Sequence, residues 1–324
     1  MAGQAPSLDA TSMPRPILVT GAAGFAGSHL LDLLTVNSAP GDILGWHRPG
    51  RVPSPRPAVT WDSVDLLDRP SVIEAIARSK PALVYHCAGA AHVGRAWERT
   101  EATFATNVRG THHLFDALRL AGLPVRVLVP SSALVYRPMS EALTEDHPLV
   151  PASPYGLSKL AQELVGMHSP GIEVTIARAF NHLGPRQDPS FSTSGFARQI
   201  AAIEAGLQPP ELLVGNLEAR RDLTDVRDTV RAYALIADRG RPGRVYNVCS
   251  GRAPSIREVL EMLVARARLP IRVQVDSARF RPNDVPLLLG DPARLRDELG
   301  WSPLVPLEQS VDDVLGYWRS VIAA

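Results

Sequence analysis

Ile17-Leu18-Val19-Thr20-Gly21-Ala22-Ala23-Gly24-Phe25-Ala26-Gly27 is the stretch on which the fold of this chain turns. An apolar, mostly β-branched run enters three glycines spaced GxxGxxG, and the helix-patterned segment Phe25–Val36 follows. Strand, glycine turn and helix in that order make a phosphate-binding unit. Gly21 permits the tight turn, Gly24 lets backbone approach a pyrophosphate, and Gly27 lets the helix pack closely on the strand. The first-turn amides near Phe25 and Ala26 add donors and a partial positive charge. Glycines after a strand also occur as plain turns; the strand before and the helix after select the phosphate reading.

Outward from that turn, short β-rich runs alternate with helical patterns, the signature of a parallel sheet flanked by helices. The predicted strands are Ile17–Thr20, Ile43–His47, Val59–Trp61, Leu83–Cys87, Val125–Val129 and Glu173–Ala177. The predicted helices are Phe25–Val36, Pro70–Arg78, Thr103–Ala121 and Tyr155–His168. Arg48–Pro57 carries five prolines or glycines beside three arginines and reads as a surface loop. Beyond Phe180 the pattern turns irregular, with helices predicted near 195–205, 226–237, 255–266, 293–299 and 307–321 and strands at 244–248 and 271–275. We expect a dinucleotide-binding domain over 16–178 that recruits a segment near 222–250. A smaller α+β lobe, 179–221 and 251–324, then closes a cleft over the sheet.

Composition narrows the function. The 324 residues carry 34 basic and 33 acidic side chains, a net of +1, so no broad positive field favours nucleic acid or a membrane surface. No apolar run reaches the roughly 18 to 20 residues that span a bilayer. Residues 1–15 have neither an apolar core nor a basic leader and read as a disordered tail, which points to a cytosolic protein. Cys87 and Cys249 are too few for a disulfide framework or a zinc site. Adjacent His112 and His113 diverge by about 100° on a helix, and no metal site is expected. His92, after the fourth strand, reads as a surface or core histidine.

The chemistry gathers in three short runs. Tyr155-Gly156-Leu157-Ser158-Lys159 places a phenol and an ammonium on one helix face. A nearby cation favours phenolate, so Lys159 is expected to lower the Tyr155 pKa toward neutrality. That pairing carries weight because only Lys80 and Lys159 are lysines in this arginine-rich chain. Ser132 follows the strand at 125–129 and can donate to a substrate oxygen from the sheet edge. At the end of the second strand, Gly45-Trp46-His47-Arg48 has no carboxylate for a ribose 2′-hydroxyl. Arg48 can pair with a 2′-phosphate, which favours NADPH over NADH, or stand as a solvated loop arginine.

Together these runs resemble the extended short-chain dehydrogenase/reductase family, sugar-nucleotide branch, from Ile17 onward. Thr175–Gln187, Gly215–Arg231, Val245–Gly251 and Arg281–Leu289 are similar to its GDP-mannose-type enzymes. The resemblance implies a Rossmann-type doubly wound parallel sheet and NADPH or NADH as cofactor. It implies Tyr155 as proton donor, Lys159 as its pKa modulator and ribose ligand, and Ser132 as the group that polarises a sugar carbonyl. Asn181, Arg221 and Arg281 match positions that hold the nucleotide-sugar. Asp65-Leu66 resembles the pair that holds adenine. A homodimer through a four-helix bundle is also implied.

Dehydratases of this branch carry a T-[S/D]-E-x-Y-G run whose glutamate removes a ring proton. Here the run is Ser132-Ala133-Leu134-Val135-Tyr136-Arg137. Leucine transfers no proton, so the expected reaction is reduction of GDP-4-keto-6-deoxy-D-mannose to GDP-D-rhamnose. The alternatives are a nucleotide-sugar epimerase, a GDP-mannose 4,6-dehydratase, and a cofactor-binding scaffold without catalysis.

Overall fold

The structure, a computed structural model, describes residues 13–50, 53–276, 278, 280 and 285–323. Seven parallel strands form the central sheet. They are β1 (Ile17–Thr20), β2 (Ile43–His47), β3 (Val59–Ser63), β4 (Leu83–His86), β5 (Arg126–Ser132), β6 (Glu173–Ala179) and, far along the chain, β11 (Val245–Val248). Their spatial order is β11-β6-β5-β4-β1-β2-β3. The sheet therefore grows in opposite directions from β1 and β4, and the crevice beyond their carboxyl ends is where such sheets bind ligands.

Parallel neighbours require crossovers, and helices supply them. They are α1 (Phe25–Leu34), α2 (Arg69–Ser79), α3 (Val93–Glu98), α4 (Thr100–Phe104), α5 (Gly110–Ala121) and α6 (Pro154–Met167). On one face, Leu30, Leu31 and Leu34 of α1 pack with Val230 and Tyr233 of α8 (Val226–Arg239) and Leu295 of α10 (Ala293–Leu299). On the other, Val72 and Ile76 of α2 meet Leu114, Phe115 and Leu118 of α5. Each such fully buried side chain contributes about 1.5–3 kcal/mol of transfer free energy.

The rest of the chain builds a lobe beyond the carboxyl ends of the strands. Short parallel pairs stitch it together. β7 (Asn181–Leu183) pairs with β10 (Leu223–Asp225), β8 (Glu211–Val214) with β12 (Arg272–Val275), and β9 (Arg220–Arg221) with β13 (Leu287–Leu288). Helices α7 (Ser192–Glu204), α9 (Ile256–Val264) and α11 (Leu307–Ala323) enclose a core of Phe196, Leu212, Leu260, Val311 and Trp318. Asp225 caps α8 and accepts a bond from Ser310 of α11 at 2.7 Å, which fastens this lobe to the sheet domain.

Three expectations are corrected. The tail expected over residues 1–15 ends earlier: Met13 is buried, its sulfur accepts from the Tyr85 hydroxyl at 3.5 Å, and Arg15 pairs with Asp42. Residues 1–12 of the expected tail lie outside the described residues. β5 runs on to Ser132, because β6 pairs with it along its length as far as Ala179. The helix expected over Thr103–Ala121 is interrupted by a π turn, Ala105–Arg109. That widened turn accompanies an inward Asn107, whose amide binds the Ala90 N–H (2.7 Å), the Ala90 carbonyl (3.2 Å) and Ser158 Oγ (2.9 Å).

Candidate active site

Gly21 holds the turn after β1 at φ +63, and a Cβ there would lie 2.7 Å from the Ala88 backbone behind β4. Only glycine meets both conditions. A Cβ on Gly27 would lie 2.3 Å from the Gly21 carbonyl, so this glycine sets how closely α1 packs on the loop. One on Gly24 would meet that carbonyl at 3.0 Å and otherwise open space. Gly24 also N-caps α1 without any side-chain bond, which leaves the first-turn amides for a ligand. Uncapped amides, a glycine cradle and the sheet's switch point fit a dinucleotide pyrophosphate. Phe25 stacks on His182 of β7 at 5.6 Å and 7°, so the helix start also touches the second lobe.

Asp65 and Leu66 follow β3. Asp65 accepts from the Leu67 N–H at 2.9 Å, and the Leu66 carbonyl meets His113 Nδ1 at 2.8 Å. Arg48 projects from the end of β2, exposed and unpaired among the described residues. His92 instead bridges the lobes, meeting Ser190 Oγ at 2.6 Å.

At the other side of the crevice, Ser132 ends β5, with its hydroxyl accepting from the Leu134 N–H at 3.2 Å. Tyr155 occupies the first turn of α6, capped by Ser153, with the Ser132 side chain near enough to act on its phenol. Gly156 makes this approach possible, since a Cβ there would lie 2.2 Å from the Leu134 carbonyl. Lys159, one turn on, is buried and donates to the Pro130 carbonyl at 2.6 Å and to Gln162 Oε1.

The lowered phenol pKa expected from Lys159 is corrected by this geometry. Burial pushes Tyr155 up to about 12, with the Ser132 side chain opposing it. Lys159 gives its hydrogen bonds to Pro130 and Gln162 rather than to the phenol. Burial lowers Lys159 itself to about 8, with the Glu163 charge opposing. Tyr155 therefore rests as the neutral acid.

Two cavities meet at the second lobe, and the smaller of them reaches this corner through Ala133, Leu134 and Ser153. One, of about 740 Å³, has a largely polar wall that includes Gln187, Arg198, Gln199 and Asn216. The other, of about 560 Å³, is lined by Trp97, Leu134, Phe280, Val285 and Leu288, with Glu98 and Arg137 beside them. Asn181 and Arg221 line both. Arg281 lies outside the described residues. Beneath the corner, Arg178 and Glu163 form a buried pair at 2.8 Å. Sequence reasoning missed that pair, Asn107 and Gln162; their one signal was a polar side chain at a core-facing helix or strand position.

Such a sheet, glycine turn and Ser-Tyr-Lys corner define an extended short-chain dehydrogenase/reductase of the sugar-nucleotide branch. Within that class the chain belongs to the family described as GDP-mannose 4,6 dehydratase, whose model matches residues 18–314. It is 35% identical over 314 residues to a GDP-6-deoxy-D-mannose reductase of Pseudomonas aeruginosa, covering 95% of this chain and 98% of that one. A GDP-mannose 4,6-dehydratase of Vibrio cholerae is 28% identical, covering 78% and 76%. Among solved structures, RMD from Pseudomonas aeruginosa complexed with NADPH superposes with a TM-score of 0.83 at 33% identity, covering 95% and 99%.

Proposed function

We propose that this protein reduces the 4-keto group of GDP-4-keto-6-deoxy-D-mannose to give GDP-D-rhamnose, using NADPH in preference to NADH. Leu134 carries the choice: it lines the apolar cavity where the dehydratase motif has its proton-abstracting glutamate. Reduction needs no such base. The resting state of Tyr155 agrees, because a group that must donate a proton has to hold one at neutral pH. The reductase relative and the NADPH-bound structure support the same reading.

Asn181 and Arg221, shared by the two cavities, suit a diphosphate at their junction. The nucleoside then takes the polar cavity and the deoxyhexose the apolar one. Ser132 and Tyr155 hydrogen-bond the keto oxygen, and Tyr155 gives that oxygen its proton as the C–O bond order falls. Gly21, Gly24, Phe25, Ala26 and Gly27 hold the pyrophosphate, Asp65 and Leu66 the adenine, and Lys159 the nicotinamide ribose. A bound reduced nicotinamide supplies the hydride. Arg281 belongs to the proposed nucleotide-sugar set by its sequence position. The cytosolic setting is part of the same proposal; Cys87 and Cys249 are both free thiols.

The direct test supplies GDP-4-keto-6-deoxymannose, made by a separate dehydratase, with each cofactor in turn. Loss of reduced-nicotinamide absorbance with GDP-rhamnose as product is the expected result. Turnover of GDP-mannose alone would instead make this chain a dehydratase, with Glu98 the first acid to substitute.

Cofactor choice has its own test. Arg48→Ala raises KM for NADPH by about 10- to 100-fold, the worth of a charge-assisted bond to phosphate, and changes KM for NADH little. Equal effects on both cofactors would return Arg48 to the solvated loop.

The homodimer also rests on an exposed stripe. Leu157 and Leu164 sit seven residues apart on α6, 49% and 50% exposed. Two such faces, each with its neighbouring helix, make a four-helix bundle. Leu157→Glu with Leu164→Glu converts the dimer to monomer in sedimentation velocity; a wild-type chain that sediments as a monomer would refute the bundle.

A further inference from the structure

We propose that Gln162 is a positioning residue for Lys159, holding the ammonium in place through a buried hydrogen-bond chain that ends at the phosphate turn. The idea rests on the proposed role of Lys159 at the nicotinamide ribose, but it concerns groups whose bonds are visible here. Gln162 is fully buried and one helical turn from Lys159. An ammonium can only donate, so Gln162 must present Oε1 to Nζ. Its amide nitrogen then faces the other way and donates to Thr111 Oγ1 at 2.9 Å.

The remaining protons follow from that one constraint. Thr111 spends its hydroxyl proton on the Asn107 carbonyl at 2.6 Å. Its oxygen must therefore accept from His86 Nε2, 2.8 Å away. His86 is then the Nε2–H tautomer, and its Nδ1 accepts from Thr20 Oγ1 at 2.9 Å. Thr20 in turn accepts from the Ala88 N–H at 3.2 Å. Burial, with the Lys159 charge second, lowers His86 to about 3, so it stays neutral and keeps this orientation. The chain joins α6, α5, β4 and β1, and ends on the residue before Gly21.

With Pro130 and Gln162 taking two of its three N–H bonds, Lys159 has one left for the crevice. Fixing two donors fixes the direction of the third. The other groups that face the ammonium do not replace Gln162. Cys87, just after β4, is held up at about 12 and is uncharged at neutral pH, and Glu163 on α6 is engaged by Arg178 and Ser131. Tyr155 is neutral on the same helix face.

The chain's lysine content makes the test direct. Lysine labelled with carbon-13 at Cε gives two signals, the exposed Lys80 and the buried Lys159. Gln162→Met keeps much of the volume and removes the acceptor. Its Lys159 titration midpoint should fall from about 8 by about one, a tenfold loss of proton affinity. The alkaline limb of the turnover profile should move with it, and KM for the cofactor should rise. Gln162→Glu should move the midpoint upward and restore cofactor KM. Thr111→Val, one bond further out, should shift Lys159 the same way by less, and it serves should Gln162→Met fail to fold. An unchanged Lys159 midpoint in the folded variants overturns the proposal. Failure of the reductase reading shows separately, as wild-type protein that leaves the keto sugar unreduced while the lysine titrations still differ.

Discussion

Tyr155→Phe lowers kcat for keto-sugar reduction by about a thousandfold and leaves cofactor affinity within about twofold. The phenol acts beside Ser132 at the end of β5, not at the glycine turn after β1, so its loss removes the proposed proton donor without disturbing the pyrophosphate cradle. Phenylalanine keeps the ring that fills the first turn of α6. Single-turnover rates and a fluorescence titration with the reduced cofactor separate the two effects. A kcat within tenfold of wild type would mean another acid protonates the sugar oxygen. The wild-type pH profile bears on the same point. A phenol held up at about 12 stays protonated throughout the working range. Lys159, lowered to about 8, is cationic below that pH and loses its charge as pH rises through it. Activity should therefore decline above about pH 8 through the lysine, with no tyrosine limb beside it.

What could be read from the sequence was whatever lies close together along it. Gly21, Gly24 and Gly27 are fixed by one turn, and Tyr155 and Lys159 by one turn of helix, so spacing alone implied their shared site. That the first six strands form one parallel sheet followed from their alternation with helices. What escaped the sequence are relations between distant residues. Thr20, His86, Thr111 and Gln162 come from four elements and mean nothing until the sheet places them in line. Lys159 was expected to act on Tyr155 because they share a face, but Gln162 and Pro130 compete for its protons. Spacing gives neighbours; it does not give which neighbour takes the bond.

Two further residues show the same limit. Asn181 and Arg221 were assigned by motif likeness, yet their common meaning is geometric: β7 and β9 bring them to the wall between two cavities. The π turn at Ala105–Arg109 left no trace in the apolar period, since a single widened turn shifts the stripe without erasing it. Asn107 inside that stripe was the visible clue, a polar residue at a fully buried position.

Arg178→Met destabilises the protein by about 3–5 kcal/mol, because it strands Glu163 in the interior. Arg178 in β6 and Glu163 in α6 are both nearly inaccessible and meet through three bonds, Nη2 to Oε2 at 2.8 Å and Nε to Oε1 at 3.0 Å and to Oε2 at 3.3 Å. Ser131 also donates to Glu163, but one hydroxyl does not balance a buried carboxylate. The guanidinium further donates to Tyr136 at 3.0 Å, and Tyr136 donates to Asn247 of β11 at 2.7 Å. The loss thus reaches from α6, the helix of Tyr155 and Lys159, to the last strand of the sheet. Removing both charges, as in Arg178→Met with Glu163→Leu, should recover most of the deficit, since no unpaired charge is left. Acid should act in the same direction on the single variant: neutralising the stranded carboxyl lowers its burial cost, so the gap to wild type narrows as pH falls. Urea unfolding of wild type, single and double variants measures all three terms. A double variant as unstable as the single one would mean that Arg178 stabilises the sheet by packing under Tyr136, whose ring lies 4.8 Å from the guanidinium carbon, and not by neutralising Glu163.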